Sequence, residues 1–182
     1  MNKIIAVVGM CGSGKSIVSE YLESIGLKKV YFGGVTMEKL KESGEEVNEK
    51  NERKMREGLR RDYGMGAYAI LTLPKIEEYL KSSNVVIDGL YSWDELKILK
   101  EKFEDNFFVI SVVVDKSIRY NRLTKREIRP LTNKEAKSRD ISEIEALAKG
   151  GPIAYADYFI LNNGSMDDYM SDIKKITNEI LK

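Results

Sequence analysis

Apolar positions are grouped along the chain in two distinct ways. Continuous runs of β-branched and aromatic residues occur at Ile4 to Val8, Val30 to Phe32, Val85 to Ile87, Phe107 to Val114 and Tyr158 to Leu161. Runs with no polar alternation predict strands covered on both faces, the habit of a parallel sheet. Between them, apolar residues recur at spacings of three and four, which predicts helices over Ile17 to Ile25, within Thr36 to Leu80, over Trp93 to Phe103, within Ile118 to Ala148 and over Met166 to Leu181. The last is opened by a possible capping box from Ser165 to Asp168. Strands alternating with helices imply an α/β fold with right-handed crossovers.

Two connections are too long for a single helix, about 50 residues between the second and third strands and about 40 between the fourth and fifth. Both read as helical insertions over the sheet. Pro74 is expected to end or kink a helix at Leu73, and Pro130 to do so at Arg129. At 182 residues the chain reads as one domain, residues 1–182, with insertions at about 35–80 and 117–150.

Composition narrows the chemistry. There are no histidines and one cysteine, so triad hydrolysis, histidine general bases and zinc clusters are excluded, and a reducing, cytoplasmic setting is expected. The longest apolar start, Ile4 to Val8, is far short of a membrane span. The net charge of +1 gives no overall field for a nucleic acid.

The charge is nevertheless uneven. From Lys116 to Arg139 nine basic residues face only Glu127 and Glu135, a net +7 that leaves the rest of the chain at −6. Arg119, Arg122, Arg126 and Arg129 are spaced to share one side of a helix, and with few acidic partners they point to an anionic target such as transferring phosphates. A second cluster, Arg53, Arg56, Arg60 and Arg61, lies among Glu49, Glu52, Glu57 and Asp62, where surface ion pairs compete with a ligand role for Arg56 and Arg60.

Gly9-Met10-Cys11-Gly12-Ser13-Gly14-Lys15-Ser16 fits G-x-x-x-x-G-K-[ST] directly after a predicted strand and before a predicted helix. Such a loop turns its amides on phosphate oxygens, with Lys15 for the β/γ-phosphates and the Ser16 hydroxyl for Mg²⁺. Asp88, at the end of the third strand and followed by Gly89, is the expected second metal ligand. Asp115, after the fourth strand, is accounted for as a helix N-cap. Gly33 and Gly34 mark a close backbone approach where ligands bind in open α/β sheets.

This order of features resembles the nucleoside monophosphate kinase group, including adenylate kinase and dephospho-CoA kinase. The phosphate loop, Leu59 to Met65, Val86 to Gly89 and Ala156 to Asn163 look like an archaeal family of adenylate-kinase-related proteins. The resemblance implies a three-layer P-loop NTPase fold on five parallel strands, an acceptor site in the first insertion and a mobile lid carrying Arg119, Arg122 and Arg126. It places ATP on the loop and Arg119, catalysis on Lys15, Asp88, Arg122 and Arg126, and the acceptor near Gly33, Gly34, Thr36, Arg56, Arg60, Asp88 and Gly89.

Two departures bear on the acceptor. Asp88 to Trp93 carries no arginine, and Phe32 to Thr36 lacks the aspartate pair of dephospho-CoA kinases. A phosphate acceptor needs positioning rather than a base, so a nucleoside monophosphate such as AMP is favoured. Phosphorylation of a hydroxyl, with Asp88 or Glu38 as base, and a slowly hydrolysing ATP-binding switch remain the alternatives.

Overall fold

The computed structural model describes residues 2–128 and 130–182, and only the backbone of Glu49. Five strands, β1 (Ile4–Val8), β2 (Lys28–Tyr31), β3 (Val85–Asp88), β4 (Phe107–Val113) and β5 (Tyr158–Leu161), form one all-parallel sheet in the order β2-β3-β1-β4-β5. β1 is central, and its five side chains are wholly buried. Their alternation feeds both layers: Ile4, Ala6 and Val8 join one core, Ile5 and Val7 the other.

One face carries α1 (Lys15–Ser24) and α9 (Met166–Leu181), which bury Val18, Leu22, Tyr169, Ile173 and Ile180. The other carries α2 (Phe32–Ser43), α4 (Ala67–Leu80), α5 (Trp93–Phe103) and α8 (Gly150–Ala154). α3 (Glu49–Tyr63) lies on α2 and α4, and α6 (Lys116–Lys125) pairs with α7 (Asn133–Leu147). Among the described residues, no helix is long and apolar enough to cross a membrane.

Several expectations need correction. β2 ends at Tyr31, and α2 begins at Phe32, so Gly33 and Gly34 lie in a first helical turn rather than a loop. The close approach expected there is made by the Tyr31 ring, which a Cβ at Gly33 would meet at 2.4 Å. Pro74 does not end α4, which runs through it to Leu80. The carbonyl it leaves without a donor is that of Ile70, on the helix's exposed side, where water can replace the lost bond.

The arginine face is also interrupted. α6 stops at Lys125, Arg126 is extended, and the Leu131 amide closes on the Leu123 carbonyl at 3.0 Å, so only Arg119 and Arg122 are helical. Arg129 lies outside the described residues. Asp115 holds the N-cap position of α6 without a side-chain cap; its amide donates instead to Asn163 Oδ1 at 2.9 Å. At α9, Ser165 accepts from the Asp168 amide, while the Asp168 carboxylate returns to the Ser165 hydroxyl rather than to its backbone, which is half of the expected box.

The turn that follows β3 is fixed by a buried carboxylate. Glu95 Oε2 accepts from the amides of Tyr91 at 2.8 Å and Ser92 at 2.9 Å, and the Ser92 hydroxyl accepts from the Glu95 amide, a full capping box at the start of α5. Burial pushes the Glu95 carboxyl above the ordinary glutamate range. Glu95→Ala orphans two buried amides and is expected to lower stability by about 2–4 kcal/mol, whereas Glu95→Gln, which keeps an accepting oxygen, loses less than about 1 kcal/mol. Urea denaturation of both variants checks the pair, and a neutral alanine variant would show that the turn is held by other contacts.

Candidate functional site

The phosphate loop, residues 9–14, joins central β1 to the N-terminus of α1. Two of its glycines are obligatory for different reasons. At Gly9, with φ +147°, a Cβ would fall 2.5 Å from the Val112 carbonyl oxygen. At Gly14, with φ +93°, it would fall 2.6 Å from Asn162 Nδ2.

The loop's carbonyls are taken by donors from distant elements. Lys15 Nζ donates to Met10 O at 3.0 Å, Arg119 Nη1 to Cys11 O at 3.0 Å, Asn162 Nδ2 to Ser13 O at 2.9 Å and the Tyr169 hydroxyl to Gly14 O at 3.0 Å. The Ser13 amide donates to Met10 O at 3.2 Å, and the other loop amides are left for another acceptor, which is how such a loop receives phosphate.

Lys15 keeps some exposure as a residue, but its ammonium is crowded by protein. Burial first, and then the charge of Lys149, lower its pKa to about 8. Asp88 pairs in register with Val7, beside the loop, and lies 4.0 Å from Lys29. Burial raises its carboxyl above the ordinary aspartate range against the pull of Lys29 and Lys15. Among the described residues no cluster of three or more His, Cys, Asp or Glu side chains could hold a metal unaided. Ser16, exposed at the start of α1, and Asp88 are instead the sparse hard-oxygen set that suits a magnesium ion arriving with its phosphates.

The arginines diverge in what they touch. Arg119, expected against ATP, is buried and paired with both oxygens of Asp140, at 3.0 and 2.7 Å, so its link to the site runs through the Cys11 carbonyl. Arg122 Nη2 donates to the Asn162 carbonyl at 2.9 Å, and its Nη1 is buried without a hydrogen-bond partner. Cys11 is half-buried beside them.

On the other side of Asp88 and Gly89, a Cβ at Gly89 would touch Phe32 Cβ at 3.4 Å, and the Phe32 ring stacks on Tyr68. The Tyr68 and Thr36 hydroxyls are 2.7 Å apart, and the Arg60 guanidinium lies 5.3 Å over the Tyr68 ring with its Nε buried and without a hydrogen-bond partner. Arg53, Arg56 and Arg61 form ion pairs with Glu57, Glu52 and Asp62. Arg60 is thus set apart from the cluster by its surroundings, and Arg56 is near enough to Tyr68 to act on its charge.

A third group was not signalled by any motif. Lys149, 1% exposed, contacts Glu143 Oε2 at 2.6 Å and lies 4.4 Å over the Tyr91 ring; Arg139 pairs with Glu143 Oε1 at 3.1 Å. The basic segment read from the sequence stopped at Arg139 and so missed Lys149, and nothing in the spacing of α7 distinguishes Glu143 from a solvated face. Asn162 and Tyr169 likewise gain their role only from the sheet order. A groove of about 710 Å³ between α6 and α7 is lined by Tyr120, Asn133 and Lys137 and by none of these groups.

Glu143 gives a pH dependence. Burial draws its carboxyl upward, but Lys149 and Arg139 outweigh it and hold it below the ordinary glutamate range. A depressed carboxyl contributes stability that is present above its unfolded pKa, 4.5, and is lost as the pH falls through the folded value. Denaturation midpoints of wild type and Glu143→Gln are therefore expected to differ most above pH 4.5, by about 3 kcal/mol in stability, and to converge in acid. A gap that does not change with pH would show that the pair does not carry it.

Comparison with known proteins places the chain. The AAA_18 family model, an AAA domain, matches residues 5–147. A UPF0200 protein of Thermococcus kodakarensis is 36% identical, covering 98% of both chains, and one of Sulfurisphaera tokodaii is 33% identical over 98% of both. Among solved structures, TT1252 from Thermus thermophilus superposes with a TM-score of 0.68 at 18% identity, covering 98% of this chain and 97% of its own. A dephospho-CoA kinase from Campylobacter jejuni gives 0.58 at 18% over 98% and 97%, and a shikimate kinase from Bacteroides thetaiotaomicron 0.61 at 13% over 99% of each. The chain shares the fold of these two kinases.

Proposed function

The chain belongs to the UPF0200 family and to the AAA domain family, and on that premise we propose that it transfers the γ-phosphoryl group of Mg-ATP to a small nucleotide, a nucleoside monophosphate with AMP as the first candidate. Lys15 and the loop amides hold the donor phosphates, and Ser16 and Asp88 would hold Mg²⁺, which supplies charge neutralisation between the phosphates. Arg122, through its unpartnered Nη1, would meet the transferring group, and Arg126, just past the end of α6, would join it.

The observation that carries the acceptor reading is Arg60. A guanidinium with an unmet donor, stacked on an aromatic ring beside two hydroxyls and reached from Asp88 through Phe32, suits a phosphate attached to a planar base. Thr36 belongs to this group, Arg56 stands next to it, and Gly89 turns the chain after β3. A phosphate is already nucleophilic, and α2 offers no carboxylate in its first turn to serve a hydroxyl. The hydroxyl reading keeps one specific support, the raised carboxyl of Asp88, which would serve as its base.

Purified protein incubated with Mg-ATP alone and then with AMP, CMP, UMP, GMP or dephospho-CoA is expected to release ADP faster with a monophosphate and to yield the phosphorylated product. Lys15→Ala abolishes the acceleration. Arg60→Ala raises the acceptor KM about tenfold or more and leaves the KM for ATP within twofold, the pattern of a lost charged contact to the acceptor alone. Acceleration by dephospho-CoA only would transfer the reading to a hydroxyl acceptor, and slow release that no acceptor changes would leave an ATP-binding switch.

A further inference from the structure

The group formed by Lys149, Glu143, Arg139 and Tyr91 has no part in the motif chemistry, yet it is built with care. α7 ends at Leu147, and Ala148 adopts a left-handed conformation, φ 50° and ψ 37°, unfavourable for a residue with a Cβ. The Lys149 amide closes on the Glu143 carbonyl at 3.2 Å. Gly150, one residue beyond Lys149, has nothing within 4 Å of a Cβ position and could have taken such a turn freely. The turn falls instead on an alanine, and its effect is to direct the Lys149 side chain inward.

What Lys149 meets there is unbalanced in charge. Its ammonium shares the single Glu143 carboxylate with Arg139 and lies close enough to Lys15 to lower the pKa of that lysine. Lys149, Arg139 and Lys15 face two carboxylates, Glu143 and Asp88, which leaves one positive charge over beside the phosphate loop. A surplus cation at a buried position such as Lys149 is costly unless an anion joins it, and a terminal phosphoryl is such an anion.

Tyr91 follows Asp88 and Gly89 at the end of β3, so the Tyr91 ring under Lys149 brings the ammonium to the carboxyl end of the sheet, where Asp88 lies.

We propose that Lys149 binds the terminal, transferring phosphoryl group of ATP, and that Glu143 is a positioning residue, a resident counter-ion that orders Lys149 and Arg139 and gives them up to the phosphoryl oxygens. The inference rests on the reading of this site as an ATP site, and it concerns equilibrium contacts only. No bond is made or broken beyond ion pairs: Lys149 Nζ exchanges Glu143 Oε2 for a phosphoryl oxygen.

Calorimetric titration of the full chain with Mg-ATP and with Mg-ADP at pH 7 tests it, using wild type, Lys149→Gln and Glu143→Gln. Lys149→Gln is expected to weaken ATP about tenfold while ADP stays within twofold, since only ATP carries the group that Lys149 holds. Glu143→Gln removes the competing anion and is expected to tighten ATP at least twofold, with ADP unchanged. Equal loss of both nucleotides in Lys149→Gln, no loss of ATP, or a Glu143→Gln variant that loses ATP as Lys149→Gln does would overturn the proposal. Should Lys149→Gln fail to fold, the direction of the Glu143→Gln effect decides. Because no acceptor or turnover is involved, failure to find an accepting monophosphate leaves this result standing. A wild-type chain that bound no ATP would sink both readings.

Discussion

The phosphate loop depends on where its carbonyls go. A chain that turns its amides inward for an anion must turn carbonyls outward, and each of these needs a donor or becomes a buried unsatisfied group. Here four of them are met by Lys15, Arg119, Asn162 and Tyr169, contributed by α1, α6, the end of β5 and α9. The helices that look peripheral to the nucleotide site are in this sense its frame. The buried ion pair of Arg119 with Asp140 extends that frame to α7, so the lid insertion and the loop share one fastening point at Cys11.

The two sides of the candidate site are built on different principles. The loop side is backbone, set by glycines. The Arg60 side is side chain, set by ring stacking and by a guanidinium whose Nε has no hydrogen-bond partner. Asp88 on β3 and the Lys149 group from the end of α7 add charge to the site without any motif to announce it.

Strands and the phosphate loop were legible in the sequence because each rests on a strong local signal: unbroken β-branched runs for strands covered on both faces, and a glycine spacing that few other structures require. Of the strand order only the place of the third strand beside the first, which sets Asp88 next to the loop, was expected. Helix boundaries were less legible where tertiary contacts override propensity. Phe32 begins α2 although it reads as strand, because its ring packs under Tyr68, and Pro74 sits inside α4 because the bond it removes faces solvent. The arginine spacing suggested one helical face, yet the chain leaves the helix at Arg126. Arg119 and Arg60 belong to similar charge runs and differ only in their buried neighbours, which one-dimensional charge patterning does not contain. Lys149 was invisible for the same reason: its place is defined by an alanine turn and by Tyr91, far away in sequence.

The origin of the loop's fasteners also orders events in time. The motif lies at residues 9–16, near the start of the chain, but the donors that set it come from 108, 149 and 155 residues further on. Contacts of that separation close late, when most of the chain has been made and condensed. A nascent chain therefore carries the complete phosphate-loop sequence long before Arg119, Asn162 and Tyr169, the donors that hold its carbonyls, have been made.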